Sequence, residues 1–323
     1  MERRHNPVRR NITFALSICV AMVALFCGFV GSRQAQAQVR GLYTPGLNAT
    51  NSGNLPEPGF TYVNVFQDYS FNQLKGPNGN RVPVNGTLAV FADQNIFMWV
   101  SPKEILGGAN FAALVDLPIA NNSLSLAALG AISGGGGFAD SYYQPFTLGW
   151  KFKRADIQAA YGFMAPTGRF NPGASNNIGA GYWGHFLTSG QTVYLTENKG
   201  TAVSAYEAYE FHTTQKGTDI HPGQTLDLDY SLTQVIPLQK DMKTLLQVGL
   251  IGYGQWQTTS RSGPNIDPAI ESQRKYRVNS LGAVGNVILP SRKVIVGFKW
   301  FGEFGNSSTV QGHSLQISGA ITF

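Results

Sequence analysis

The sequence predicts an all-β protein: an antiparallel transmembrane β-barrel of about twelve strands, preceded by a cleaved signal peptide. Three observations predict it. The amino terminus is basic, then apolar, then small-residue in character. Most of the remainder divides into segments whose apolar and polar residues alternate with a period of two, as in a strand with one greasy and one polar face. The connections between those segments alternate between long and short.

Met1 to Arg10 is basic, Ile12 to Val30 is nearly continuous apolar sequence, and Ala35 and Ala37 place small residues where a signal peptidase reads them. An uncleaved membrane helix is the lesser alternative, and Phe26 ahead of Cys27 argues against a lipoprotein. Cleavage after residue 37 takes five of the 24 basic and one of the 18 acidic side chains, leaving 19 and 17 and a net charge of +2. The high isoelectric point therefore belongs largely to the targeting segment and gives no support for nucleic-acid binding. Both cysteines, Cys19 and Cys27, leave with it. That excludes disulfides, thiol catalysis and cysteine-ligated metals in the mature chain.

Residues 38–58 are rich in Gly, Pro and Asn and read as an irregular segment. A periplasmic tail is the favoured reading, and a plug folded into the lumen the alternative. Residues 59–323 then carry the barrel. Phe60 to Phe71 is β-branched and aromatic, and Gly86 to Val100 and Ala109 to Leu117 follow it. Ala120 to Tyr143, with Gly134 to Gly137, reads as a long mobile loop, within which Leu124 to Ala131 has the composition of a short helix. In the hairpin that follows, Phe146, Leu148, Trp150 and Phe152 share one face; after a turn, Ile157, Ala159, Tyr161 and Phe163 do the same. Gly181 to Thr196 pairs with Ala202 to His212, where parity is obscured because Glu207 and Glu210 fall on opposite faces. Leu226, Leu228, Tyr230 and Leu232 alternate with Asp227 and Asp229; Leu246, Val248 and Leu250 alternate in the next strand. Arg274 to Leu289 is followed by a tight turn and by Val294, Val296, Phe298 and Trp300 on one parity.

The last strand, His313 to Phe323, places Leu315, Ile317, Ile321 and Phe323 on one face and small polar residues on the other. An exposed soluble edge of this kind invites aggregation, whereas a closing barrel strand puts lipid on one side and a polar lumen on the other. This pattern, with terminal Phe323, resembles the signal read by the bacterial barrel-assembly machinery. About twelve strands is an even number, and the short connections fall on the side shared by both termini, as in outer-membrane barrels with short periplasmic turns. The expected setting is outer-membrane lipid.

Inner parity assigns Lys151, Asp156, Asp227, Asp229, Lys299 and Glu303 to the lumen. They read as a network bracing a narrow barrel, or as a constriction on a solute path. No cofactor is expected. His212, Asp219 and His221 lie close in sequence but match no metal-ligand spacing, and a solvated loop is the better account. Ser314 follows His313 directly and so faces the other way, which leaves a serine-hydrolase pair unsupported. Pro166-Thr-Gly168 reads as a corner at the outer rim, where Gly permits a positive φ.

Phe146 to Trp150, Met164 to Phe170, Asn177 to Trp183, Tyr209 to Phe211 and Asp227 to Tyr230, with Pro45-Gly46 and Pro58-Gly59-Phe60, resemble the outer-membrane proteins associated with the meta pathway of phenol degradation. The likeness covers most of residues 40–323. It implies a twelve-stranded type of barrel that takes up small hydrophobic or aromatic solutes, and it supplies no catalytic residues. An outer-membrane lipase or esterase, and a structural or adhesive barrel, are the alternatives.

Overall fold

The computed structural model describes residues 40–83, 86–126, 130–174 and 176–323. The signal peptide expected over residues 1–37, with Ala35 and Ala37, lies outside the described residues. The strands are β1 (Gly59–Lys75), β2 (Arg81–Val82), β3 (Gly86–Ile105), β4 (Ala109–Asp116), β5 (Ile119–Leu126), β6 (Gly130–Phe138), β7 (Ser141–Lys151), β8 (Ala155–Ala165), β9 (Gly184–Tyr194), β10 (Thr201–His212), β11 (Thr225–Pro237), β12 (Leu245–Gln257), β13 (Arg277–Leu289), β14 (Val294–Glu303) and β15 (Val310–Thr322). Twelve of them (β1, β3, β4 and β7 to β15) form the wall, each antiparallel to its neighbours. The wall closes because β1 pairs with β15 on one side and β3 on the other. Closure satisfies every ladder along the wall, which is the condition for crossing lipid with strands.

β5 and β6 are not wall strands. β5 pairs with the first half of β3, and β6 pairs with β5, so the hairpin continues the lines of β4 and β7 beyond the rim. The expected mobile loop with a helix over Leu124–Ala131 is thus corrected: residues 119–126 and 130–138 are extended. Pro118 has no N–H to donate, which breaks the line between β4 and β5 without ending the pairing along β3.

Turns 106–108, 152–154, 195–200, 238–244 and 290–293 lie on one side of the barrel and the longer connections on the other, as predicted. The long-loop side is the outer face. One outer loop carries a short helix, α1 (Pro268–Ser272), with Asp267 as its side-chain N-cap.

The sidedness follows the strand parity. Phe298 and Trp300 are 48% and 45% exposed on the outer surface, while their neighbours Lys299 and Phe301 are buried inside. On β11, Asp227 and Asp229 are fully buried while Leu232 is exposed. On β15, Ile317 faces outward and is exposed, whereas Ser314 and Gln316 are buried. The ambiguous β9–β10 pair resolves as well. Glu210 aligns with Phe186 and points inward, whereas Glu207 aligns with Ser189 on the outer face. There Gln191 Nε2 donates to both Glu207 Oε2 and Ser189 Oγ.

Residues 40–58 are not a periplasmic tail. They run down the lumen from the outer end to the start of β1 at the inner rim. The physical reason is hydrogen-bond accounting. A segment without a ladder of its own needs partners for its main-chain N–H and C=O groups, and the polar inner wall supplies them.

Candidate functional site in the barrel lumen

The site is built from the inward side chains of the wall, mostly those of β8 to β15 with Tyr69 of β1, Gln94 of β3 and Lys151 of β7, and from the segment they hold. At the outer end, Arg40 donates to Glu303 through both terminal nitrogens, at 2.6 and 3.0 Å, and also to the Val310 carbonyl. Glu303 further accepts from Tyr253 Oη, Asn306 Nδ2 and the Gly312 N–H, so this buried ion pair is saturated with donors. One turn of chain later, Glu210 accepts the Leu42 and Tyr43 N–H groups at 2.8 and 2.7 Å, and bonds His212 Nε2. Asp229 accepts from Tyr43 Oη, Gly46 N–H and Asn48 N–H. Lys299 Nζ donates to the Gly46 and Leu47 carbonyls at 2.9 and 2.7 Å, and Gln316 Nε2 donates to the Pro45 carbonyl. Lower down, Gly53 N–H donates to Thr192 Oγ1, Asn54 Nδ2 to Tyr194 Oη, and Glu57 pairs with Lys151 at the inner rim. Glu210 and Asp229 thus take main-chain N–H groups of the segment, and Lys299 and Gln316 take its carbonyls.

Of the residues assigned to the lumen from sequence, Asp156, Asp227, Asp229, Lys299 and Glu303 are buried, and Lys151 sits at the exposed inner rim. They do not converge on one point. Asp229, Lys299 and Glu303 grip the segment. Asp156 accepts from Tyr194 Oη, and Asp227 from Gln255 Nε2. Sequence reasoning missed Arg40, Tyr43, Glu210 and Gln316 as members of this set. Glu210 shares the parity of Ala202, Ser204, Tyr206, Ala208 and His212 on its strand, and the small or polar character of that face was the available signal.

Among the described residues no group of three His, Cys, Asp or Glu side chains could hold a metal ion. His212 is committed to Glu210 and the Gly223 carbonyl, while His221 bridges to Ser262 in an outer loop. His313 aligns with Gly302 on the outer face and Ser314 is buried on the inner one.

The segment does not fill the lumen. Beside it lies a cavity of about 650 Å³. Its wall on β1, β3 and β4 is mainly apolar, formed by Val63, Val65, Ile96, Met98 and Leu114, and Leu42, Leu47 and Leu55 of the segment face it. It reaches from Tyr142, Met164 and Phe186 near the outer end to Pro290 and Lys293 in an inner turn. Above it, Leu42 packs with Ala180, Tyr182 and Phe186, so the loop over residues 166–183 caps the outer end. Asp140 ties that loop down by accepting the Gly168 and Ala180 N–H groups at 2.8 and 2.7 Å. Gly168 does not adopt a positive φ. Its corner needs glycine for another reason: an added Cβ would stand 2.9 Å from Gly179 Cα.

A closed antiparallel wall with an apolar outer face, short turns on one side and a polar lumen defines a bacterial outer-membrane β-barrel. The chain belongs to the family described as "Putative MetA-pathway of phenol degradation", whose model matches residues 71–318. Among solved structures it is similar to the COG4313 outer membrane channel from Pseudomonas putida F1, at 14% identity and a TM-score of 0.66, over 87% of this chain and all of that one. The β domain of the Bordetella autotransporter BrkA matches at 7% identity and a TM-score of 0.49, over 83% of this chain and all of that one. No functionally curated protein sequence matches significantly.

Proposed function

We propose that the barrel passes small hydrophobic or aromatic compounds inward across the outer membrane, along the cavity beside its own N-terminal segment. The observation that carries this reading is the asymmetry of the lumen. Most of the hydrogen bonds that hold the segment come from β8 to β15, whereas Val63, Val65, Ile96, Met98 and Leu114 on β1, β3 and β4 turn apolar side chains toward open volume. A water-filled pore for hydrophilic solutes has no need of Val63, Ile96, Met98 and Leu114 on its inner wall. An apolar solute leaving water gains roughly 25 cal/mol for each Å² it buries there. The family description, which names phenol degradation, supports the aromatic class of solute.

Cells expressing the protein should accumulate a radiolabelled aromatic hydrocarbon faster than cells without it, and Leu114→Asp should cut that rate several-fold. Uptake that does not depend on the protein, or is indifferent to Leu114→Asp, would count against passage along this wall. Removing residues 41–57 should raise single-channel ion conductance, because the polar half of the lumen then fills with water.

A further inference from the structure

The cavity contains one acidic group that the segment does not use. Asp116, at the end of β4, is 6% exposed and lines the apolar side. In register it faces Ile96 on β3 and Tyr142 on β7, and both line the same cavity. Its Oδ1 accepts the Asn95 N–H at 3.1 Å. No other hydrogen bond and no ion pair reaches the carboxyl among the described residues. Nearby polar groups are already engaged with one another: Tyr142 Oη donates to Gln144 Oε1, and Gln144 Nε2 to Thr147 Oγ1. Asp116 Oδ2 thus opens on the cavity, with Ile96 and Tyr142 beside it in register and space for a small molecule in front of it. Ligand pockets are commonly built this way, from apolar walls with a few placed polar groups that fix orientation.

We propose that Asp116 orients the solute, and that the cavity selects neutral apolar molecules bearing a hydroxyl over the corresponding hydrocarbons and carboxylates. A hydroxyl donates to Oδ2 while its apolar body lies along Ile96, Met98 and Leu114. A hydrocarbon leaves Oδ2 without a partner, which a polar site penalises strongly. A carboxylate has no proton to donate to Oδ2 and leaves it without a partner as well. The proposal rests on the passage reading above and adds the chemical class of the solute.

Asp116 also bonds Asn95 where Pro118 interrupts the strand, so the test must separate a bracing role from a recognition role. Binding is measured by equilibrium dialysis of the full mature protein in lipid nanodiscs, with protein-free nanodiscs subtracted. The probes are toluene, benzyl alcohol, benzaldehyde and benzoate. Heat-modifiable gel migration confirms that each variant is folded. Wild type should bind benzyl alcohol about tenfold tighter than toluene and bind benzoate weakest. Asp116→Asn keeps an oxygen for the Asn95 N–H and turns an amide donor toward the cavity. It should therefore shift preference toward benzaldehyde, which only accepts. Asp116→Leu should bring benzyl alcohol and toluene to equal affinity.

Equal wild-type binding of toluene and benzyl alcohol would overturn the selection and leave hydrophobic passage standing. Binding of no probe would remove both. An Asp116→Asn variant with an unchanged preference would reduce Asp116 to a brace and overturn the assignment.

Discussion

At Gly46 the lumen segment passes so close to the wall that an added Cβ would lie 2.4 Å from the Phe301 ring, and the backbone holds a φ of +82°. Both constraints act at the point where Asp229 takes the Gly46 N–H and Lys299 the Gly46 carbonyl. Gly46→Ala should therefore loosen the segment, lowering stability against urea by roughly 1–3 kcal/mol and raising single-channel conductance. Unchanged values for both would mean that the segment does not depend on this contact. The residue scale also shows what parity can reveal. That Asp227, Asp229 and Lys299 point inward was legible from alternation with leucines and aromatics. What they bind was not, because a Gly-, Pro- and Asn-rich stretch looks the same whether water or a polar wall satisfies its main chain. Arg40, with Glu303 some 263 positions away, carries no local pattern at all.

At the scale of elements, strands facing lipid announce themselves and strands above it do not. β11 and β14 alternate cleanly because one face must be apolar. β5, with the sequence Ile-Ala-Asn-Asn-Ser-Leu-Ser-Leu, extends beyond the rim, where no bilayer imposes alternation, and so it read as loop. The β9–β10 pair was obscured for a different reason. Gln191, Ser189 and Glu207 form a polar island on the outer surface, so both faces of those strands carry polar residues. Among the outer loops, α1 is fastened by Arg261, which donates to both oxygens of Glu271. That hydrogen-bonded pairing holds the Glu271 carboxyl below its ordinary value. A carboxyl depressed in the folded loop contributes order that is fully present above the unfolded value and is lost as pH falls through the folded one. Proteolytic cutting in residues 258–276 should accordingly rise as pH falls below the ordinary glutamate range, and Glu271→Gln should cut equally fast at neutral and acid pH.

At the scale of the molecule, twelve wall strands, sorted loops and an inverted distribution of polarity were all predictable from residues 59–323, since closure in lipid leaves few other arrangements. The contents of the lumen were not, because interior packing in a barrel is set by contacts between residues remote in sequence. The result is a barrel with two unlike halves. β8 to β15 supply most of the hydrogen bonds to a guest that the chain itself provides, while β1, β3 and β4 add an apolar stretch to the remaining space, which β13 to β15 border as well.

The direction in which that guest lies has a topological outcome. An even strand count ordinarily leaves both ends of a barrel polypeptide on one side, yet here Arg40 stands among the outer loops while Phe323 lies at the inner rim beside Phe60. Between Arg40 and Phe60 the chain therefore crosses the height of the wall once more than the strand count records.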